Sequence, residues 1–166
     1  MILALDIGNT NVVLGCIADG EILFTERMAT DSGKTELDYA ISLKMVLELR
    51  EIKVSEITGA IIGSVVPPVT SLMREAIRKV TGQEALVVNV DMNIGLEVLM
   101  DNPSSVGTDL IVGAVAGINR YPVPLRKAAQ LFLRLAQKHT APGADDRLFR
   151  PFQLTDDLFD LYGMSL

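Results

Sequence analysis

The sequence holds one cysteine, Cys16, in 166 residues. That excludes an internal disulfide framework and a cysteine-based zinc site. There is also one histidine, His139, in the tail with no cysteine or histidine partner near it, so a metal-ligating role is not expected. No apolar run reaches the 18 residues of a membrane span; residues 61–69 and 111–118 are the longest candidates, and Pro67-Pro68 interrupts the first. A basic excess is missing too: 15 Lys and Arg face 21 Asp and Glu, for a net charge of −6. With no local basic stripe, a general nucleic-acid role is excluded and no nucleic-acid partner is expected. The N-terminal MILALDIGNT has no basic segment before it, and Asp6 breaks any signal-peptide core. The expectation is a cytoplasmic protein without membrane attachment.

One absence is local. Residues 1–125 contain 16 Val and 13 Ile, whereas residues 126–166 contain neither. The same tail lacks Glu, yet carries four of the five Phe. Its six basic residues face five acidic ones, against nine and sixteen in the rest. Because Val and Ile dominate buried strands, the tail is not expected to supply a central strand. It reads as a helical appendage: a helix over 126–138 with Ala128, Leu131 and Leu135 on one side, a loop at 140–146, then short amphipathic pieces. The chain therefore divides into a lobe, 1–125, and an atypical helical tail, 126–166.

What is present in the lobe is the pattern of an α/β fold. Residues 1–7, 12–18 and 21–27 read as three strands, the last two joined by the Asp19-Gly20 hairpin signal. A helix is expected over 36–50 behind a Thr35 cap (or a neighbour), with Leu37, Ile41, Met45 or Leu43, Leu47 and Leu49 supplying its apolar face. Residues 59–66 read as a buried strand stopped by Pro67-Pro68. A helix over 70–81 is closed by Gly82, a strand covers 85–90, and a final helix spans 104–120. Three meandering strands followed by alternating helices and strands imply a mixed sheet with flanking helices.

The strongest constellation for chemistry is Asp6-Ile7-Gly8-Asn9-Thr10-Asn11 between two apolar strands. A carboxylate at a buried strand end can hold a metal through water. Gly8 admits a phosphate close to the backbone, and Asn9, Thr10 and Asn11 offer amide and hydroxyl donors. A hairpin turn accounts for Gly-Asn equally well, although a charged Asp6 at a strand end requires a partner. Asp109, in the first turns of the 104–120 helix, reads either as a favourable charge at a helix N-terminus or as a proton acceptor. Gly63-Ser64 and Asp101-Asn102-Pro103 read chiefly as strand-end and helix-entry structure.

Taken in order, MILALDIGNTN with its hairpin, GSVVPP, and DNPSSVGTD with its helix resemble the type III pantothenate kinase family over residues 1–125. The resemblance implies an actin-like ATPase fold of duplicated ribonuclease-H-like lobes, of which this is the first. It implies ATP-dependent phosphorylation of pantothenate in coenzyme A biosynthesis, with Mg²⁺ and a monovalent cation, K⁺ or NH₄⁺. It places Asp6, Gly8, Asn9, Thr10 and Asn11 along the ATP phosphates, with Asp6 positioning Mg²⁺ through water. It puts Gly107, Thr108, Asp109 and Leu110 on the substrate segment with Asp109 as catalytic proton acceptor, and Met100 at a pantothenate contact. Family members are homodimers whose active site borrows across the interface.

The sequence departs from the family at Met100, where an aromatic is frequent, at Leu110, where arginine is frequent, and at Gly113, where a polar residue is common. After Leu125 the family's second Asp-x-Gly-Thr phosphate motif and cation site do not follow; RKAAQLFLRLAQKH stands there instead. The expectation is a truncated or frameshifted product, an intact first lobe with impaired activity. The alternative is a catalytically silent nucleotide- or partner-binding remnant with an accessory or regulatory role.

Three further features carry less. Asp31-Ser32-Gly33-Lys34-Thr35 mimics a P-loop, but Met28 occupies the required first glycine, so a polar helix approach is expected. Cys16 is expected to be a packed thiol, and Arg74, Arg78 and Lys79 a solvated helical face.

Overall fold

The structure is a computed structural model that describes residues 1–89 together with Met92, Thr108, Ile111 and Val112. Five strands form one mixed sheet: β1 (Ile2–Ile7), β2 (Asn11–Ala18), β3 (Glu21–Ala29), β4 (Gly59–Ser64) and β5 (Ala85–Val87). Their order across the sheet is β3-β2-β1-β4-β5. The β1–β2 and β2–β3 pairs are antiparallel, whereas β1–β4 and β4–β5 are parallel. Helices α1 (Glu36–Leu49) and α2 (Pro67–Thr81) provide the crossovers into the parallel half. This is the mixed sheet with flanking helices that the sequence implies.

The sheet separates two apolar clusters. On one face Leu3, Leu5 and Ile7 of β1, Val12, Leu14 and Cys16 of β2, and Ala60 and Ile62 of β4 pack beneath both helices. Tyr39, Ala40, Leu43 and Leu47 project from α1, and Val69, Met73, Ala76 and Ile77 from α2. The alternate residues Ala4, Val13, Ile17 and Ile61 line the other face, where Val88 and Val112 join them. Each fully buried side chain of this size contributes about 1.5–3 kcal/mol. Because β1, β2 and β4 are apolar on both faces, they read as near-continuous hydrophobic runs.

The helix boundaries have local causes. Thr35 caps α1 through a reciprocal box: its Oγ1 accepts from the Asp38 N–H at 3.3 Å, and Asp38 Oδ2 accepts from the Thr35 N–H at 2.8 Å. Of the apolar residues expected to face inward from α1, only Leu43 and Leu47 do so, and the sheet beneath leaves the others in solvent. Leu37, Ile41, Met45 and Leu49 are all more than half exposed. The α2 helix begins three residues earlier than the sequence suggests. Pro67 and Pro68 occupy its first turn, where a missing N–H costs nothing, so they start the helix as well as end the strand. Gly82 closes α2 at φ 72°, and its N–H donates to Arg78 O.

Strand β4 stops at Ser64, two residues short of expectation, and β3 runs two residues longer, to Ala29. Thr108, Ile111 and Val112 have helical backbone, within the expected 104–120 helix. Val90, the rest of that helix and the tail 126–166 with His139 lie outside the described residues. Among the described residues no helix is long and apolar enough to cross a membrane.

Surface charges are locally matched. Arg78 pairs with Glu75 at 2.7 Å, Arg74 lies 4.0 Å from Glu84, and Lys79 reaches Glu36 of α1 at 2.8 Å. The three basic residues of α2 thus form a solvated, compensated face. The Lys79 contact holds the Glu36 carboxyl below its ordinary value. The Thr35 N–H and then its hydroxyl do the same for Asp38.

Removing the cap oxygen in Thr35→Ala should lower unfolding free energy by about 1 kcal/mol, measured by urea titration at pH 7. A carboxyl with a lowered pKa in the native state stabilises above its unfolded pKa, and that stability is lost as pH falls through the native value. For Glu36 and Asp38 this window lies below their ordinary values of 4.5 and 3.8. Wild-type stability should fall through it, with a shallower slope in Thr35→Ala; an unchanged slope would remove the hydroxyl from the account. Burial raises the Cys16 thiol to about 11. A disulfide exchange reagent at pH 8 should therefore label Cys16 only when urea unfolds the chain, and rapid labelling of the native protein would contradict the packing described.

Candidate functional site

The site residues meet where β1 ends. Along β1, Leu3, Leu5 and Ile7 face the helices, so Ala4 and Asp6 face the opposite side. Asp6 is in register with Val13 on one side and Gly63 on the other. It is half-buried, and the absence of a side chain on Gly63 leaves its carboxylate room on that face. Sequence alternation thus places a charge on the sheet face that also receives Val112.

Gly8-Asn9-Thr10 then turns the chain into β2. The Gly8 N–H donates to Asn11 O at 2.9 Å and closes the turn. A Cβ on Gly8 would sit 3.3 Å from that same oxygen, so the tight turn is made by the bare glycine. Asn9 and Thr10 are exposed at its tip. Among the described residues, neither their side chains nor their N–H groups have an intramolecular partner. Asn11 is half-buried at the start of β2. Both readings of this segment hold together: it is a hairpin turn, and its exposed donors suit an anion.

Strand β4 delivers the second half. The Val65 N–H donates to Ile7 O at 3.1 Å, carrying the β1–β4 pairing one step past the strands. Ser64 Oγ accepts from the Val66 N–H at 3.0 Å and from Thr70 Oγ1 at 2.6 Å. Gly63-Ser64 therefore serves chiefly to join β4 to α2. Beside it, Thr108 Oγ1 donates to Ser64 O at 2.9 Å. Ser64 is the register partner of Ile7, so Thr108 lies at the same sheet end as Asp6 and Gly8.

The structure thus brings together Asp6, Gly8, Asn9, Thr10, Asn11 and Thr108. Met100, Gly107, Asp109 and Leu110, with Asp101-Asn102-Pro103, lie outside the described residues. The 31–35 segment takes no part. Asp31 Oδ1 accepts from the Gly33 N–H at 2.8 Å, and Lys34 lies over the Tyr39 ring, 5.4 Å from its centroid. This is a polar turn into α1, as its missing glycine implies. Shallow depressions of the described surface lie elsewhere; one is lined by Met1, Ile2, Ile17, Ala18, Asp19, Gly20 and Glu56, at the opposite sheet end.

One residue at the site escapes sequence reasoning. Thr30, directly after β3, donates its N–H to Thr10 O at 2.9 Å and its hydroxyl to Gly8 O at 2.7 Å. The only signal is a hydroxyl-bearing residue where a strand ends opposite the loop, and nothing in one dimension aligns residue 30 with residue 8.

The donor set was tested against a phosphate and its metal. Exposed Asn9 and Thr10, a glycine turn in which a Cβ would be crowded, and one carboxylate on the adjoining face fit a phosphate with Mg²⁺. Among the described residues no group of three or more acidic, His or Cys side chains converges. A metal here would therefore rely on Asp6, water and ligand phosphates, the usual habit of Mg²⁺.

Comparison with known proteins bears on the same residues. The family model described as type III pantothenate kinase matches residues 2–127. A type III pantothenate kinase from Finegoldia magna is 39% identical over 125 residues, covering 75% of this chain. The chain spans 48% of that relative's length. Among solved structures, a reductive activator for a corrinoid, iron–sulfur protein is 16% identical and superimposes with a TM-score of 0.44, covering 72% of this chain and 26% of its own. A putative N-acetylglucosamine kinase from Porphyromonas gingivalis gives 0.43 at 16% identity, covering 98% and 71%. Superpositions this loose carry no argument here. The family match rests on the sequence that builds the sheet and its loop: the chain belongs to the type III pantothenate kinase family.

Proposed function

We propose that residues 1–125 form the phosphate-loop lobe of a kinase that transfers the γ-phosphoryl group of ATP to pantothenate, in coenzyme A biosynthesis. The observation that supports it best is Thr108 on the Ser64 carbonyl, which sets Thr108 at the same sheet end as the Asp6 loop. Phosphoryl transfer asks for an aligned hydroxyl and neutralised charge more than for covalent help. In this reading the N–H groups and side chains of Asn9 and Thr10, with Asn11, bind phosphate oxygens, and Gly8 permits their approach. Asp6 holds Mg²⁺ through water; bound there, the ion supplies neutralisation of phosphate charge. Asp109 follows Thr108 directly and accepts the proton of the pantothenate hydroxyl. Gly107, Thr108, Leu110 and Met100 flank the substrate.

The family's monovalent-cation site belongs to its second Asp-x-Gly-Thr motif, and these 166 residues contain no such sequence. No cation site is assigned here for K⁺ or NH₄⁺. The family match ends at residue 127, and from residue 126 onward Val, Ile and Glu no longer occur. With one phosphate loop in place of two, donors are halved and water is poorly excluded, so turnover is slow and ATP binding weak. The same deficit favours a nucleotide-binding chain without turnover as the second reading.

The test is pantothenate-dependent ADP formation by the purified chain with Mg²⁺ and a potassium salt. Asp109→Asn should reduce turnover at least about 100-fold and leave most ATP binding intact. Asp6→Asn should weaken Mg²⁺–ATP binding itself. Undiminished turnover in Asp109→Asn would refute the proton-acceptor role. ATP binding with no turnover in the wild type would favour the second reading.

A further inference from the structure

Two peptide planes of the Gly8-Asn9-Thr10-Asn11 loop are held from outside it, and both by the same residue. The main-chain bond from Thr30 to Thr10 O merely extends the β2–β3 ladder, whose last register pair is Asn11 with Ala29. The hydroxyl bond from Thr30 to Gly8 O, at 2.7 Å, is of another kind. It crosses from the edge strand β3, past β2, to the end of the central strand. In a planar trans peptide the C=O and the following N–H point in opposite directions. Drawing Gly8 O toward Thr30 therefore aims the Asn9 N–H away from it, and drawing Thr10 O does the same for the Asn11 N–H. The intervening Asn9–Thr10 peptide is suspended between two fixed neighbours.

Thr30 is itself held. The hydroxyl of Tyr39 donates to Asp31 O and accepts from the Asp31 N–H, both at 2.9 Å. Tyr39 is fully buried in the core beneath α1. An edge strand would otherwise fray at this end, and two bonds from a buried phenol prevent it. The path runs from α1 through Tyr39 and Asp31 to Thr30, and ends on the loop carbonyls.

We propose that Thr30 is a positioning residue for the phosphate loop: its hydroxyl orients the Gly8–Asn9 peptide so that the Asn9 N–H faces an incoming phosphate. The proposal rests on reading this loop as the phosphate site. The hydroxyl is the part of the side chain that makes this bond, so an isosteric residue without it loses the hold and serine keeps it.

The experiment compares the wild-type 166-residue chain with Thr30→Val, which keeps the shape and the main-chain bond, and Thr30→Ser, which restores the hydroxyl. Thr30→Ala serves in place of Thr30→Val should the latter not fold. Two quantities are read: the dissociation constant for Mg²⁺–ATP by calorimetry, and amide hydrogen exchange of a peptide spanning residues 8–12 without nucleotide. Losing one hydrogen bond should weaken binding about 3- to 10-fold in Thr30→Val and speed loop exchange by a similar factor. Thr30→Ser should recover both, and thermal midpoints should stay within a few degrees. Wild-type values in Thr30→Val, or no recovery in Thr30→Ser, would overturn the proposal. If the wild type binds no Mg²⁺–ATP, the phosphate-site reading itself falls, and loop exchange alone then decides whether Thr30 holds the loop.

Discussion

Strand β1 is hydrogen-bonded along both edges, antiparallel to β2 and parallel to β4, and the site forms where that double pairing runs out. A central strand has no freedom to shift: a slip of one residue would turn Leu3, Leu5 and Ile7 away from the helices and drive Asp6 into the core. The hydrophobic pattern therefore fixes the carboxylate on the other face. The parallel partner matters as much as the antiparallel one. Because β1 and β4 run the same way, their C-terminal ends coincide, and everything that follows them arrives at one place: the Gly8 turn after β1 and the Ser64–Val66 junction after β4. Sites in sheets with parallel strands commonly sit at such ends for this reason.

Around that point the polar groups divide into two sets. Carbonyls and hydroxyls that could compete for the loop are spent internally: Ile7 O on Val65, Gly8 O and Thr10 O on Thr30, and Ser64 O on Thr108. The exposed donors at Asn9 and Thr10 are left for solvent or ligand. An anion site needs acceptors turned away and donors turned outward, and buried or half-buried polar groups accept that division only when each has a partner. Among the described residues no buried side-chain polar atom lacks one. The loop is thus rigid on its inner side and available on its outer side, which suits a group required to receive phosphate without rearranging.

Membership in the kinase family concerns the lobe rather than the whole length. The family match stops at 127, near the point where the amino-acid usage changes, and the chain spans about half of its Finegoldia magna relative. A phosphate loop on one lobe is half of a nucleotide cleft in the reading given above. In that reading binding and turnover are separable, since a single loop can contact phosphate while turnover needs a closed, water-excluding site.

The sequence by itself determined the order and type of the elements, because each rests on local rules. Alternating and continuous apolar runs mark β1, β2 and β4. Thr35 with Asp38 marks the start of α1, and Gly82 marks the end of α2. Boundaries erred where two local signals shared residues: Pro67-Pro68 both stops a strand and starts a helix, and the sequence reading credited only the first. The loop 6–11 stood out as a candidate because a charge, a glycine and three polar residues interrupt apolar strands. The sequence pattern misjudges the buried face of α1: it places Leu37, Ile41 and Leu49 inside with Leu47, but apolar residues lie on several sides of this helix and only the sheet beneath selects Leu43 and Leu47. Not legible at all were the strand order, the meeting of Thr108 with Ser64, and the hold of Thr30 on Gly8, which join residues 44 and 22 positions apart. Local propensity acts within a few residues; these contacts exist only once strand pairing and helix packing have brought distant segments to the same sheet end.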